Sequence, residues 1–186
     1  LQPSSPYSAS KAAAEHLTLS YFHTYKLDVV ITRSSNNYGA HQLPEKFLPV
    51  VVLKALRNEK IPVYGDGKNR RDWMHVSDNC RGIWLASQRG RSGEVYNLGS
   101  GNELENNQLV KIVLDHLKKP HELADFVKDR PGHDFRYALN STKAQEELQW
   151  QPEVDVQCGI LETINWYKNN QEWVTMALRK LQGGAT

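Results

Sequence analysis

The sequence contains little cysteine and no long apolar run. Cys80 and Cys158 are the only cysteines among 186 residues, and they form neither a CxxC pair nor a disulfide framework. This scarcity favours a reducing compartment, and we expect the cytoplasm. Apolar stretches stay well short of the length that spans a bilayer, and no secretory signal opens the chain, so we expect no membrane partner.

Neither sign of charge is in large excess. Lys and Arg number 23 and Asp and Glu number 21, and the net charge of +2 is too small to predict nucleic acid as a partner. The seven histidines show no HExxH or similar spacing, so no metal site is expected. With 39% hydrophobic and 24% charged residues, the composition is typical of a globular chain.

Two features indicate that further sequence precedes residue 1. The chain opens without Met on a loop rich in Ser and Pro, which runs straight into a predicted helix. Gly99-Ser100-Gly101 follows a predicted strand, but Leu104 stands where a GxGxxG loop needs its third glycine. If the protein binds a cofactor pyrophosphate through such a loop, we expect that loop to lie upstream.

Helical and β-branched segments alternate, which predicts an α/β fold. Pro6, with Ser4 or Ser5 as the cap, predicts a helix over 7–25, and the run 27–32 predicts a buried parallel strand. A strand near 95–98, or alternatively 73–76, would pair with it. Further helices are predicted at 46–58, after a cap at Ser77 or Asp78 to about 88, at 107–118 with Asn106 as a candidate N-cap, at 141–150 and at 157–170. An Asp-Gly turn at 65–67 predicts a hairpin of 62–64 with 73–76, and the chain end from 183 is expected to be disordered.

Tyr7 and Lys11 form the first motif that carries chemistry. Positions i and i+4 share one face of a helix, so the ammonium can lie near the phenol and favour the phenolate. Tyr7 is then a candidate general base toward a sugar hydroxyl. A surface tyrosine beside a solvated lysine is the plain alternative. Together with Pro6, the Ala-rich helix and the following strand, the stretch resembles the YxxxK helix of short-chain dehydrogenases, which implies that Lys11 also holds the nicotinamide ribose.

Asn36 and Asn37 follow the predicted strand at its carboxyl end, where open α/β sheets bind ligands. Two adjacent amides can bind a sugar hydroxyl and a cofactor, although an ordinary Asn-rich turn has the same composition. Pro44-Glu45-Lys46 comes next, then Pro62-Val63-Tyr64 and, after the turn, Arg71 in an Arg-Asp-Trp sequence. A guanidinium is well suited to a diphosphate. The last motif is Asp129-Arg130-Pro131-Gly132-His133-Asp134, in which Pro-Gly predicts a turn.

These four motifs, in this order, resemble the dTDP-glucose 4,6-dehydratases, nucleotide-sugar enzymes of the extended short-chain dehydrogenase/reductase group. The resemblance runs from about Pro3 to Trp173 and implies NAD as the cofactor, bound by Tyr7, Lys11 and Asn37. It implies Tyr7 and Lys11 as catalytic residues. Substrate contacts are implied at Asn36, Lys46, Phe47, Pro62, Val63, Tyr64, Arg71, Asn106, Asp129, Arg130, His133 and Tyr137. Ala40 departs from the proline usual in the family, which alters loop stiffness and not the chemistry.

The reaction implied for the family is oxidation of dTDP-glucose at C4 by NAD, elimination of water across C5 and C6, and return of hydride to C6, on the way to deoxysugars such as rhamnose. The Thr-Asp-Glu segment that supplies the acid and base for elimination is missing from this chain. We therefore expect the 186 residues alone to be inactive and unable to bind NAD tightly. The rivals are a UDP-sugar 4-epimerase, a UDP-glucuronate decarboxylase, and a non-catalytic nucleotide-sugar-binding or assembly module.

The implied architecture is the C-terminal part of a Rossmann-type parallel sheet plus a smaller mixed α/β substrate-binding domain. Residues 1–35 and 73–100 would belong to the NAD-binding domain, 36–72 and most of 101–175 to the substrate-binding domain, and 176–186 to a tail. The helix at 7–25 is apolar around more of its circumference than one sheet face needs, and related enzymes dimerise through it. We therefore expect a homodimer.

Overall fold

The computed structural model describes residues 3, 5–130 and 132–183; Ser4 and Pro131 lie outside the described residues. Seven α-helices and eight strands alternate along this part of the chain. The helices are α1 Pro6–Tyr25, α2 Phe47–Leu56, α3 Val76–Arg89, α4 Asn106–Leu117, α5 Thr142–Leu148, α6 Val156–Asn169 and α7 Gln171–Gly183. The strands are β1 Ile31–Ser34, β2 Asn36–Tyr38, β3 Ile61–Tyr64, β4 Arg70–His75, β5 Val95–Leu98, β6 Glu103–Glu105, β7 Ala124–Val127 and β8 Arg136–Tyr137.

The predicted helices are confirmed, but two of their caps were wrong. Ser5 caps α1 by accepting a hydrogen bond from the N–H of Ser8 at 3.1 Å. Helix α3 begins at Val76, two or three residues earlier than predicted, because the ring of His75 accepts from the N–H of Ser77 and takes the capping role expected of Ser77 or Asp78. Helix α4 is capped by Glu105, and Asn106 is its first helical residue.

The predicted strand at 27–32 is present but begins later, at Ile31. It pairs in parallel with β5, in a register that places Ile31 opposite Val95, so the expected partner at 95–98 is confirmed. The alternative partner at 73–76 belongs to β4, which pairs with β2 instead. All four residues of β1 are only half-buried, because no strand of the described part covers its other edge.

The predicted hairpin is wrong, although the turn within it exists. Gly65 and Gly67 have φ values of 61° and 70°, a left-handed backbone that glycine adopts without strain. The turn directs the chain away from β3, which pairs in parallel with β7, while β4 pairs with β2, β6 and β8. Helix α4 seals the turn, since the N–H of Asn107 donates to the carbonyl of Gly67 at 3.0 Å.

Two clusters of buried side chains form the core. The larger joins α2, α4 and α6 to β3 and includes Val63, Trp73 and Ile160. The smaller lies between β5, α3 and α5 and includes Met74 and Trp150. Neighbouring residues of β4, Trp73 and Met74, therefore serve different clusters. The domain boundaries expected from the sequence stay a prediction.

The end of the chain differs from the expected tail. Helix α7 continues through Gly183, and it buries Val174 and Ala177, at 1% and 7% exposure. Residues 184–186 lie outside the described residues. Among the helices of the described part, none combines the length and the apolar character needed to cross a membrane.

Candidate functional site

Tyr7 and Lys11 lie one turn apart on α1, as the motif predicts. Both side chains are exposed, Tyr7 at 74%. Tyr7 lies within electrostatic range of Tyr137 on β8. The pKa of Tyr137 is raised, mainly by burial and next by the proximity of Tyr7. The structure therefore brings together two tyrosines that are 130 positions apart in the sequence.

Tyr137 also connects this region to the end of β1. Its hydroxyl donates to the carbonyl of Ser34 at 3.3 Å, and β8 lies beside β4 with Tyr137 opposite Arg71. The first residue after β1, Ser35, is 5% exposed. The carboxyl end of β1, the start of α1 and strand β8 thus converge, as expected for a ligand site at the end of a parallel strand.

The side chains of Ser35 and Asn37 leave polar atoms free in this region. The amide of Asn37 donates to the carbonyl of Ser35 at 3.0 Å, but its Oδ1 is buried and finds no hydrogen-bond partner among the described residues. Ser35 Oγ is buried and unpaired in the same way. Buried polar atoms are normally satisfied, so these acceptors mark a place where a ligand or a water molecule can donate. The neighbouring Asn36 is half-buried on β2.

Gln42 supports Asn37 and was not predicted from the sequence. The side-chain Nε2 of Gln42 donates to the backbone carbonyl of Asn37 at 2.8 Å. The backbone carbonyl of Gln42 accepts from the hydroxyl of Tyr167 on α6. The loop after β2 is thereby tied to α6. A glutamine five residues beyond Asn37 carries no local signal for this contact, because the partner helix is more than one hundred residues away.

Arg71 connects β4 to the loop of the last motif. Its guanidinium donates to the carbonyls of Asp134 at 2.7 Å and Phe135 at 3.4 Å. Burial lowers the pKa of Arg71, and the cation of Arg130 acts in the same direction while Asp134 opposes both. Arg71 and Arg130 therefore lie within electrostatic range of each other, and two such cations suit a ligand with more than one negative charge.

Asp129, His133 and Tyr64 form a neighbouring group. Nδ1 of His133 lies 2.6 Å from the carboxylate of Asp129, and this hydrogen bond is the main reason that the pKa of Asp129 is lowered. The ring of Tyr64 meets that of His133 edge-on, with centroids 6.3 Å apart. Tyr64 remains 40% exposed, so one part of its ring is open to a flat ligand.

The other predicted contacts lie around these groups. Lys46 precedes α2, is 57% exposed at its side chain and pairs with Glu45 at 2.9 Å. Phe47 and Pro62 are half-buried, while the side chain of Val63 is buried in the larger core cluster. Asn106 is 8% exposed, and its N–H donates to the carbonyl of Asn69 at 3.1 Å. Within the described ranges, no three His, Cys, Asp or Glu side chains gather as a metal site would require.

Curated and solved proteins resemble this chain over nearly its whole length. A dTDP-glucose 4,6-dehydratase from Actinoplanes sp. is 50% identical over 175 residues, which is 94% of this chain and 55% of that protein. A dTDP-glucose 4,6-dehydratase from Streptomyces venezuelae, solved with NAD and dTDP, superposes with a TM-score of 0.93 at 45% identity. The matched region is 95% of this chain and 55% of that enzyme. A UDP-glucose 4-epimerase from Thermotoga maritima superposes with a TM-score of 0.87 at 29% identity. The matched region is 91% of this chain and 55% of that epimerase.

The chain spans about half the length of the curated relatives it matches. The resemblance to dTDP-glucose 4,6-dehydratases that the four motifs predicted is confirmed by these relatives. The α/β fold with parallel strands is likewise confirmed. A family pattern described as GDP-mannose 4,6-dehydratase matches residues 1–163. This chain belongs to that dehydratase family.

Proposed function

We propose that these residues are the C-terminal part of a dTDP-glucose 4,6-dehydratase. The observation that carries the proposal is the identity of 43 to 50% with dTDP-glucose dehydratases, against 29% with the UDP-glucose epimerase, together with a site that retains all four motifs. The UDP-sugar 4-epimerase and the UDP-glucuronate decarboxylase remain the rivals within the group. A non-catalytic binding or assembly module is the rival outside it.

NAD fits the residues at the end of β1. The unpaired acceptors Ser35 Oγ and Asn37 Oδ1 suit donors on the nicotinamide end of the cofactor. Lys11 would hold the ribose, as the resemblance implies. When bound, NAD would supply reversible hydride transfer with the sugar. The described residues contribute this end only, because the glycines at 99 and 101 do not continue into a pyrophosphate loop.

The roles proposed for the side chains follow from their chemistry. Tyr7 removes the proton of the C4 hydroxyl as the hydride leaves, and Lys11 stabilises the phenolate. Asn36 binds a sugar hydroxyl near the end of β2. The guanidinium groups of Arg71 and Arg130, whose charges act on each other, neutralise the diphosphate.

The nucleotide base belongs beside Tyr64 in this proposal. A base stacks on the exposed part of the Tyr64 ring, whose edge contact with His133 limits its rotation. The remaining predicted contacts flank this place; they are Lys46, Phe47, Pro62, Val63, Asn106, Asp129 and Tyr137. We place the enzyme in the cytoplasm and in deoxysugar biosynthesis, with rhamnose as one end product.

Substrate turnover tests the proposal. We expect the enzyme that includes the residues preceding Leu1 to convert dTDP-glucose to its 4-keto-6-deoxy product, seen by mass spectrometry as the loss of water. The 186 residues alone should give no product and no NAD binding at low micromolar concentration in calorimetry, because they lack a glycine loop to receive the pyrophosphate.

Each rival predicts a different outcome. Conversion of UDP-glucose without loss of water would favour an epimerase, and release of carbon dioxide from UDP-glucuronate would favour a decarboxylase. Binding of dTDP without turnover of any of these sugars would favour the non-catalytic module. Tight NAD binding by the 186 residues alone would show that the upstream part matters less than proposed.

We further propose that the protein is a homodimer through α1. Leu17, Tyr21 and Tyr25 follow one another at four-residue intervals along this helix and are 61%, 48% and 71% exposed. We expect Leu17→Asp to convert a dimer to a monomer in light scattering, because it puts a charge into this stripe. Met176→Asp on α7, at a residue 50% exposed, is the matched control and should leave the dimer intact. A monomeric wild-type protein at micromolar concentration would contradict this proposal.

A further inference from the structure

Helix α1 carries the proposed catalytic residues and makes few contacts with the rest of the described chain. All 20 of its residues are described, and none is buried. Its inner face meets the rest of the chain through half-buried side chains such as Phe22, which lies beside Gly93. Within the described chain, few packing contacts therefore fix the rotation of α1 against β1.

One ion pair, between Glu15 of α1 and Arg33 of β1, limits the rotation and sliding of the helix. Arg33 Nε donates to both carboxylate oxygens of Glu15 at 3.0 Å, and a terminal nitrogen lies 2.5 Å from one of them. The hydrogen bond to Arg33 is the main cause that lowers the pKa of Glu15, and the pKa of Arg33 is raised by the same bond. Both groups are therefore charged at neutral pH. Contacts of this kind restrict orientation as well as distance, because both groups are planar.

The pair joins the two elements whose relative placement matters for the site. Glu15 lies one turn beyond Lys11 and two turns beyond Tyr7, so the three side chains share a helix face. Arg33 lies on β1, three residues before Asn36, and its charge also acts on Tyr137. A displacement of α1 against β1 would move Tyr7 away from the groups at the end of the strand.

We propose that Glu15 and Arg33 are positioning residues, whose ion pair sets Tyr7 and Lys11 against Asn36 and Asn37. The effect on hydride transfer rests on the function proposed above. The side chains of Glu15 and Arg33 are 22% and 35% exposed, and ion pairs with such access to water contribute little to overall stability. Their role is therefore geometric, and removing the pair should shift α1 without unfolding the protein.

The test uses Glu15→Gln in the complete enzyme. Because misplacement of a catalytic group by about 1 Å can cost about 100-fold in rate, we expect single-turnover hydride transfer to fall by about 10- to 100-fold. The KM for dTDP-glucose should change less than about threefold, because the residues proposed to bind the nucleotide lie outside α1. Amide hydrogen exchange should accelerate in residues 6–25, with the melting temperature unchanged.

A double-mutant cycle and a control complete the design. Arg33→Gln should lose as much rate as Glu15→Gln, and the double variant no more than either, because each residue acts through the other. The control is Glu59→Gln, which removes an exposed ion pair with Lys54 at 3.5 Å, far in sequence from α1. It should change neither the hydride-transfer rate nor the hydrogen exchange of α1. Additive losses in the cycle would overturn the inference.

Failure of this inference and failure of the proposed function are distinguishable. If the wild-type enzyme transfers no hydride, the proposed function is wrong, and hydrogen exchange in α1 still decides whether the pair positions the helix. If Glu15→Gln leaves both the exchange of α1 and the hydride-transfer rate at wild-type values, the pair positions nothing. A lowered melting temperature with faster exchange throughout the chain would also overturn the inference, since the pair would then be a general structural contact.

Discussion

Replacing Tyr7 by Phe is expected to slow hydride transfer in the complete enzyme by about 100- to 10,000-fold, the range that general acid–base catalysis contributes. The substitution removes one oxygen from a side chain that is 74% exposed on α1, so it leaves no cavity and costs no packing. Lys11, one turn further along, keeps its place. Only the group that exchanges a proton with the sugar is lost.

Single-turnover absorbance of NADH measures this prediction, and calorimetry with dTDP should show nearly unchanged binding. Tyr25→Phe is the matched control, because Tyr25 lies on the same helix and is similarly exposed at 71%. It should retain the wild-type rate. If Tyr7→Phe were as fast as wild type, Tyr7 would be an ordinary surface tyrosine and the YxxxK assignment would be wrong. An equal loss in both variants would point to a general effect on the helix.

The second large effect is on stability, and it concerns Asp78. This carboxylate is 3% exposed and accepts from the backbone N–H groups of Glu153 and Val154 at 3.0 to 3.1 Å and from Arg81 at 2.8 Å. The sequence suggested it only as a helix cap. In the structure it ties the start of α3 to the segment between α5 and α6, next to the buried Trp150, whose indole N–H donates to the carbonyl of Asp78.

Asp78→Ala should lower the free energy of unfolding by about 3–5 kcal/mol, the cost typical of removing one partner from a buried ionic contact. Two backbone donors would then be left without their acceptor. Chemical denaturation monitored by tryptophan fluorescence measures this. Asp115→Ala is the control. Asp115 pairs with His121, and both side chains are 54% exposed. Exposed pairs of this kind contribute about 0–1 kcal/mol to the free energy of unfolding. Equal stabilities of the two variants would contradict the role given to Asp78.

Local sequence patterns predicted the elements whose structure is decided locally. The spacing of apolar residues and the Ser5-Pro6 start predicted α1, and similar periodicity predicted α2, α4 and α6. Helix α7 was missed although a signal was present, since Trp173, Val174, Ala177, Leu178 and Leu181 have helical spacing. The two glycines that follow made the segment resemble a tail.

Strand pairing could not be predicted in the same way. The Asp-Gly turn after β3 is correct locally, yet the partner of β3 is β7, whose residues come about 60 positions later. Which strand lies beside β3 depends on packing between distant segments, such as that of α2 against α4 and β3, and not on the turn.

In the candidate site too, local features were predicted from the sequence, and contacts between distant residues were not. Its chemical groups were predicted from four motifs, because each motif combines residue types suited to one part of a nucleotide sugar. Contacts across large sequence separations were missed. They include the approach of Tyr7 to Tyr137, the support of Asn37 by Gln42, and the tie between Glu15 and Arg33. None of these partners is marked by its own neighbours in the sequence.

The parallel pairings also determine the order in which this chain can fold. Ile31 finds Val95, and Ile61 finds Ala124, each about 60 residues away. Both pairings close long loops, and long loops make folding slow because chain entropy is lost before the strands meet. During synthesis, β1 and β3 emerge well before their partners. The edges that β1 and β3 share with β5 and β7 therefore stay unpaired until those partners are synthesised.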